Sequence, residues 1–471
     1  MRPIHALFAA AFASALASVA AAQCPSDLWN LTFSDEFNGT SVDATTWTYE
    51  VGRWPYNNEL ENYQRSNVTE GNGSLTITAA RDPRFNPAYS SGRINTRGRF
   101  LQQFGKFEMR AKLPRGKGMW PAFWLLPQDT WPPEIDIMEN LGHETSKVYF
   151  TNHWGTYPNV QSQPTSYSGP DFSLDFHTYA CEWYPDRIDF FVDGVRRTTH
   201  RNAGIPAVPM YIILNLAVGG DWPGYPDGTT LFPQKLVVDW VRAYERLQPS
   251  QTLTNSSFES FGANNATPLA NWTKSGNAYC EPVGVRTGAH SGKLYGNFTG
   301  GVNTSSVYQE VSVTPGDIMA GTGWFMNLGS DRMSGSNTAS MYIEWRTATN
   351  TVVSRSSIVV ADASSPADSY MSNYVYGTVP ATATKARFGV EFRQPALNNG
   401  AIFFDDLVFG KISCPMCIAD FNQDGGIDGS DVGAFFDSWE AGNSDADVNQ
   451  DGGIDGADVA SFFVAWESGS C

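Results

Sequence analysis

The sequence predicts a mainly β chain that ends in a small helical unit, and three observations lead there. Short runs of alternating apolar and polar residues are bounded by Gly, Pro, Asn and Asp. No long amphipathic helix breaks this pattern in the first half of the chain. An Asp-rich loop occurs twice near the end, each copy followed by one apolar helical face. A length of 471 residues leaves room for several domains.

Residues 1–22 read as an export signal. Arg2 and His5 precede an apolar Ala/Phe/Leu run, and Ala20-Ala21-Ala22 suits cleavage before Gln23. The run is short and Ala-rich for a membrane span. Cys24 raises a lipoprotein alternative, but Gln23 stands where that processing wants a small residue. The expectation is a secreted, monomeric protein with no membrane span. A formal charge of −17 argues against a nucleic-acid partner. Much of that charge is local, because residues 412–471 hold twelve Asp/Glu and no Lys or Arg. Aromatics reach 13%, with 15 Trp, which suits both stacking on sugar rings and filling a β core.

Export permits disulfides among Cys24, Cys181, Cys280, Cys414, Cys417 and Cys471. Cys414 and Cys417 open the last domain and Cys471 ends it, so one clasp is expected there. Cys181, in the alternating run Tyr179-Ala180-Cys181-Glu182-Trp183, is expected as a buried thiol.

The first domain is expected over 24–247. Strands are expected over 73–79, 105–111, 187–193 and 237–244, with Asp193-Gly194 as a hairpin turn. Such a pattern implies two packed antiparallel sheets.

Within this domain one stretch carries chemistry: Glu134-Ile135-Asp136-Ile137-Met138-Glu139-Asn140. On a strand, Glu134 and Asp136 share one face. A regular strand would turn Met138 to that face. One extra residue at Ile137–Met138, a β-bulge, would return Glu139 to it instead. Three carboxylates would then line one strip, and crowding of like charges raises one pKa. One carboxyl kept protonated beside another kept ionised is what glycoside hydrolysis requires. Retaining enzymes hold the two about 5–5.5 Å apart.

The heptapeptide resembles the signature of glycoside hydrolase family 16, in the bulged form of its laminarinase-type β-1,3-glucanases. Gly118-Met119-Trp120-Pro121-Ala122-Phe123-Trp124-Leu125-Leu126-Pro127 is similar to the family's WPAFW segment. Asn57-Asn58-Glu59-Leu60, Thr151-Asn152-His153-Trp154-Gly155 and Leu214-Asn215-Leu216-Ala217-Val218-Gly219-Gly220-Asp221-Trp222 follow in order and spacing. The resemblance implies a β-jelly-roll whose concave sheet forms a sugar cleft. It implies Glu134 as nucleophile, Glu139 as acid/base and Asp136 as the residue that tunes Glu134. It places Asn58, Glu59, Arg93, Trp120, Trp124, His153, Asn215 and Trp222 along the substrate. It also implies a calcium ion on the convex side, held by Glu36, Gly73 and Asp239.

After a linker at 246–253, a second strand-rich domain is expected over 252–411. Its spaced segments resemble galactose-binding-like sandwiches used as carbohydrate-binding modules. Trp272, Trp324, Trp345 and Arg393 are its candidate sugar contacts.

The last domain, 414–471, carries the repeat. Asp420, Asn422, Asp424, Gly426, Asp428 and Asp431 recur 27 residues on as Asp447, Asn449, Asp451, Gly453, Asp455 and Asp458. Oxygens at these positions match EF-hand calcium loops. Two ions are expected. Val432, Phe435, Phe436 and Trp439, then Val459, Phe462, Phe463 and Trp466, form one apolar helical face each. Paired loop-helix units resemble a type I dockerin, implying a cohesin-like or cell-surface partner. Gly429-Ser430 and Gly456-Ala457 depart from the Ser/Thr pair of cellulosomal dockerins and leave that partner open.

Together these expectations describe a secreted retaining endo-β-1,3-glucanase acting on laminarin-type glucans. Two alternatives stand beside it. One is a family 16 hydrolase of mixed-linkage glucan, agar, porphyran or carrageenan. The other is a non-catalytic glucan-recognition protein, although both glutamates are present here.

Overall fold

The computed structural model describes residues 28–54, 56–262, 269–413, 418–422, 427–449 and 452–468. The leader, Cys24, Cys414, Cys417, Cys471, Asp424, Gly426 and Asp451 lie outside the described residues. So does the expected clasp.

Two sheets form the first domain: one of ten strands and one of seven. At the centre of the larger, Gly105–Lys112 lies between His177–Tyr184 and Gln234–Arg246. The smaller runs in the order Asn159–Ser168, Lys147–Thr156, Glu134–Asn140, Met119–Pro127, Met210–Val218, Arg93–Asn95, Thr48–Tyr49. Alternation explains the layering. In Gly105–Lys112 every second side chain is buried, with Phe107, Met109 and Ala111 fully so. These face Phe123, Leu125, Phe150, Ile212 and Leu214 from the seven-stranded sheet in one core. Each large apolar side chain buried there contributes roughly 1.5–3 kcal/mol. Asp193 and Gly194 both take positive φ, 51° and 69°, as a tight right-twisted hairpin requires. Cys181 is a buried free thiol.

Two further five-stranded sheets enclose a separate core around Phe388, Phe392, Phe404 and Phe409. Trp272 and Trp345 belong to that core, at 4% and 2% exposure, which removes them as sugar contacts. Both sit on inward-facing positions, where an apolar ring gains more from burial than from solvent. Trp324 lies under the Arg286 guanidinium, 3.9 Å from its ring centre. Arg393 is exposed. The linker joins this second sandwich: Ser250 and Thr252 donate backbone N–H groups to Lys411 and Phe409. Arg187 reaches the Ser372 carbonyl at 3.1 Å, and Tyr374 donates to the Leu247 carbonyl at 2.9 Å. These bonds tie the two sandwiches together.

The C-terminal unit contains the helices Gly429–Glu440 and Gly456–Ser468. Asp428 caps the first, accepting from the Ser430 N–H, while Asp431 accepts from the Asp428 N–H. Phe435 and Phe462 stack at 4.3 Å. Trp439 donates to the Asp455 carbonyl and Trp466 to the Asp428 carbonyl. Each helix thus closes the other repeat's loop.

Candidate active site

The strand Glu134–Asn140 carries a register shift against both neighbours. Asp136 and Met138 oppose Trp124 and Phe123, and Asp136 and Glu139 oppose Thr151 and Tyr149. Ile137 and Met138 are both fully buried. Two consecutive side chains therefore enter the core, and Glu139 returns to the face of Glu134 and Asp136.

Indole donors hold both glutamates. Trp131 donates Nε1–H to Glu134 Oε2 at 2.7 Å, and Trp120 donates Nε1–H to Glu139 Oε1 at 2.9 Å. Between them, Asp136 is 3% exposed and meets His153 Nε2 at 3.1 Å; the same nitrogen lies 3.7 Å from Glu134 Oε1. Burial, then the charge of Glu134, pushes the Asp136 carboxyl well above its usual range. Burial, then Asp136, does the same to Glu139, while the Trp120 hydrogen bond pulls it back. Burial and charge both favour the protonated form of Glu139. Glu134, Asp136 and His153 bring ligand-type atoms within 4.8 Å of one another. Two of the three are already engaged with each other, His153 Nε2 meeting Asp136 Oδ2 at 3.1 Å.

Other expected residues line the same sheet. Trp124 donates to Asn215 Oδ1 at 2.7 Å, with the Arg93 guanidinium 4.9 Å from its ring centre. Arg93 in turn pairs with Glu50 at 3.0 Å. Trp222, 41% exposed, meets Trp120 edge-to-face at 5.5 Å and Tyr149 at 4.8 Å. Asn58 donates to the Asp221 carboxylate at 2.9 and 3.0 Å, so its amide braces a loop. Glu59 is 9% exposed and accepts from Asn57.

The convex-side residues are engaged differently. Arg242 grips Glu36 through two hydrogen bonds, at 2.8 and 2.9 Å, and Arg110 pairs with Asp239. Gly73 takes positive φ in the adjoining turn. Both carboxylates therefore face guanidinium groups rather than each other.

Sequence reasoning missed Trp131, because Pro132-Pro133 interrupts any strand alternation that would assign it a face. It also missed Glu61, Tyr63 and Asp221, which come beside expected site residues only through the packing of the segment 57–63 on the end of Met210–Val218.

Residues 57–242 match the model of glycosyl hydrolases family 16. A β-glucanase of Rhodothermus marinus is 37% identical over 243 residues, covering 46% of this chain and 85% of that protein. A glucan endo-1,3-β-glucosidase A1 of Niallia circulans is 37% identical over 258 residues, covering 46% of this chain; the chain spans only 38% of that relative's length. The laminarinase catalytic domain of Thermotoga maritima is 38% identical, covering 47% of this chain and 99% of that domain, with a TM-score of 0.44. The matched stretch lies within the two-sheet sandwich and contains the bulged carboxylate strand. By sequence and by site, the chain belongs to glycosyl hydrolases family 16 and is a glycoside hydrolase.

Proposed function

We propose that the chain is a secreted, retaining endo-β-1,3-glucanase. The observation that carries this reading is the pairing of Glu134, anchored by Trp131, with Glu139, favoured in its protonated form on the same bulged strand. Glu139 gives its proton to the glycosidic oxygen while Glu134 attacks the anomeric carbon, so the C–O bond breaks as the glycosyl-ester bond forms. Water then loses a proton to Glu139 and displaces Glu134, restoring both groups. His153 and Asp136 steady the nucleophile between them. Trp120, Trp124 and Trp222 present rings for glucosyl stacking. The names of the relatives favour β-1,3-linked glucan as substrate.

The second sandwich serves, in this proposal, as a carbohydrate-binding module. An open groove among Tyr279, Lys293, Tyr295 and Phe298 gives it aromatic and charged surface in place of the buried tryptophans. The C-terminal unit would bind two calcium ions through its duplicated loops and attach the enzyme to a cohesin-like or surface partner. Calcium on the convex side would require Glu36 and Asp239 to leave their arginines.

Product analysis on laminarin, lichenan, agarose and carrageenan tests the substrate, with Glu134→Gln as control. Laminarin cut to short oligosaccharides by the wild type alone is the expected result. Cleavage of a galactan alone would replace the substrate and keep the mechanism. Binding without any cleavage would favour a recognition protein.

A further inference from the structure

The strand Met210–Val218 runs out into two consecutive glycines, and Asp221 and Trp222 follow. Gly219 and Gly220 take φ of 74° and 126°. A Cβ on Gly219 would stand 2.8 Å from the Leu60 side chain, and one on Gly220 would stand 3.1 Å from the Asn57 carbonyl. The turn therefore needs glycine, which leaves the chain beyond it more conformational freedom to lose. Before the turn, the strand end is secured. Leu60 donates its N–H to the Val218 carbonyl at 2.8 Å, and Glu61 Oε2 accepts the Val218 N–H at 2.7 Å. After the turn, Asp221 is fastened twice. Its N–H donates to the Asn57 carbonyl at 2.9 Å. Its carboxylate accepts from Asn58 Nδ2, which lies 2.9 and 3.0 Å from the two oxygens. Asn57 and Asn58 both take positive φ, 53° and 58°, a region that asparagine tolerates better than most residues.

The next residue shows what this fastening carries. The Trp222 ring sits edge-to-face against Trp120 at 5.5 Å and against Tyr149 at 4.8 Å. Tyr149 stands opposite Glu139 in the strand register, and Trp120 donates to the Glu139 carboxyl. Trp222 therefore lies beside the acid, and at 41% exposure it keeps ring surface for a ligand. Edge contacts alone hold a ring weakly against the entropy of a glycine-rich turn. A hydrogen bond accepted by a carboxylate is stronger than a neutral one and opposes that freedom. Asn58 and Asp221 are both exposed, so their contact contributes to the placement of the loop and not to the core.

We propose that Asn58 and Asp221 form a clasp that positions Trp222 against the sugar bound beside Glu139. Asp221 is a positioning residue for substrate affinity, and Asn58 acts through Asp221 rather than on the substrate. The inference rests on the glucanase reading. It goes beyond it in giving Asp221 a role and in moving Asn58 from sugar contact to loop support. Neither residue touches a reacting atom.

The test is KM and kcat on laminarin oligosaccharides for the full chain, Asp221→Ala, Asn58→Asp and the exchanged pair Asn58→Asp with Asp221→Asn. Asp221→Ala removes the acceptor, and Asn58→Asp sets two carboxylates against each other. Each should raise KM about tenfold, the worth of one good aromatic contact, without a matching fall in kcat. The exchanged pair restores one donor and one acceptor in swapped places, so its KM should return most of the way to wild type. If Asn58 bound the sugar itself, Asp221→Ala would keep the wild-type KM and the exchange would not rescue Asn58→Asp. Either result overturns the proposal. Near-ultraviolet circular dichroism reads the ring directly: Asp221→Ala should lose the band that Trp222→Phe loses, because both uncouple Trp222 from Trp120. An unchanged spectrum in Asp221→Ala refutes the clasp whatever the activity. A wild type that cuts a different polysaccharide overturns the substrate, and the same KM comparison on its oligosaccharides then decides the proposal. A wild type that cuts none overturns the glucanase reading instead, and the spectrum still decides whether the clasp holds Trp222.

Discussion

Trp120 donates its indole N–H to Oε1 of Glu139 at 2.9 Å, while the same ring meets Trp222 edge-to-face. One side chain therefore both bonds the Glu139 carboxyl and packs against Trp222. Removing the donor with Trp120→Phe takes away an interaction that lowers the Glu139 pKa. The alkaline limb of the kcat profile should move to higher pH, and kcat/KM should fall about tenfold. A limb that stays or moves down would show that the indole does not act on Glu139.

Asp136 acts with the opposite sign. Its charge raises Glu139. In Asp136→Asn that repulsion is gone, so Glu139 loses its proton more easily and the alkaline limb should move to lower pH. A pH–rate series on both variants reads the two shifts in opposite directions.

Glu139→Gln should lower kcat by about 10³-fold or more and yet stabilise the fold. A carboxyl whose folded pKa is raised binds its proton more tightly when folded. Stability is therefore lost as pH climbs from about 4.3, the unfolded value, towards the folded one. Gln has no such loss. Scanning calorimetry should find the Tm of the variant a few degrees above wild type at pH 7 and level with it at pH 4. A lower Tm at pH 7 would contradict the burial of this acid.

Trp131, 45% exposed, reaches Glu134 across only three residues. Trp131→Phe keeps an aromatic surface and removes the N–H. A hydrogen bond to an ionised carboxylate contributes about 1.5–3 kcal/mol, so kcat/KM should fall between roughly tenfold and a hundredfold. Wild-type kinetics would reduce Trp131 to a surface ring.

Calcium titration tests the C-terminal repeat. Calorimetry should count two ions in the loops of the full chain and one fewer in Asp447→Ala. A chelator should reduce the helical circular dichroism signal, because an ion bound only to the folded unit stabilises it by mass action. No heat on titration would leave the loops as caps alone.

Much of the site was legible in the chain. Ile135, Ile137 and Met138 between Glu134, Asp136 and Glu139 already require a bulge, because a period of two cannot otherwise put three acids on one face. The helical faces after each Asp-rich loop were equally plain, since 3.6-residue spacing survives in sequence. Trp272 and Trp345 show where such reading stops. Composition marks a tryptophan as able to stack on sugar, but only the layering of two sheets decides that these two point inward.

By itself the sequence determined the strand pattern, the bulged acidic strip and the duplicated loops, because each is a local regularity of side chains along one backbone. Tertiary structure alone decided the electrostatics. Trp120 reaches Glu139 across 19 positions, Asp136 meets His153 across 17, and Glu61 finds Val218 across 157. A carboxyl's proton affinity depends on the water it has lost and the charges brought beside it. Neither is set until distant strands close the core behind the cleft.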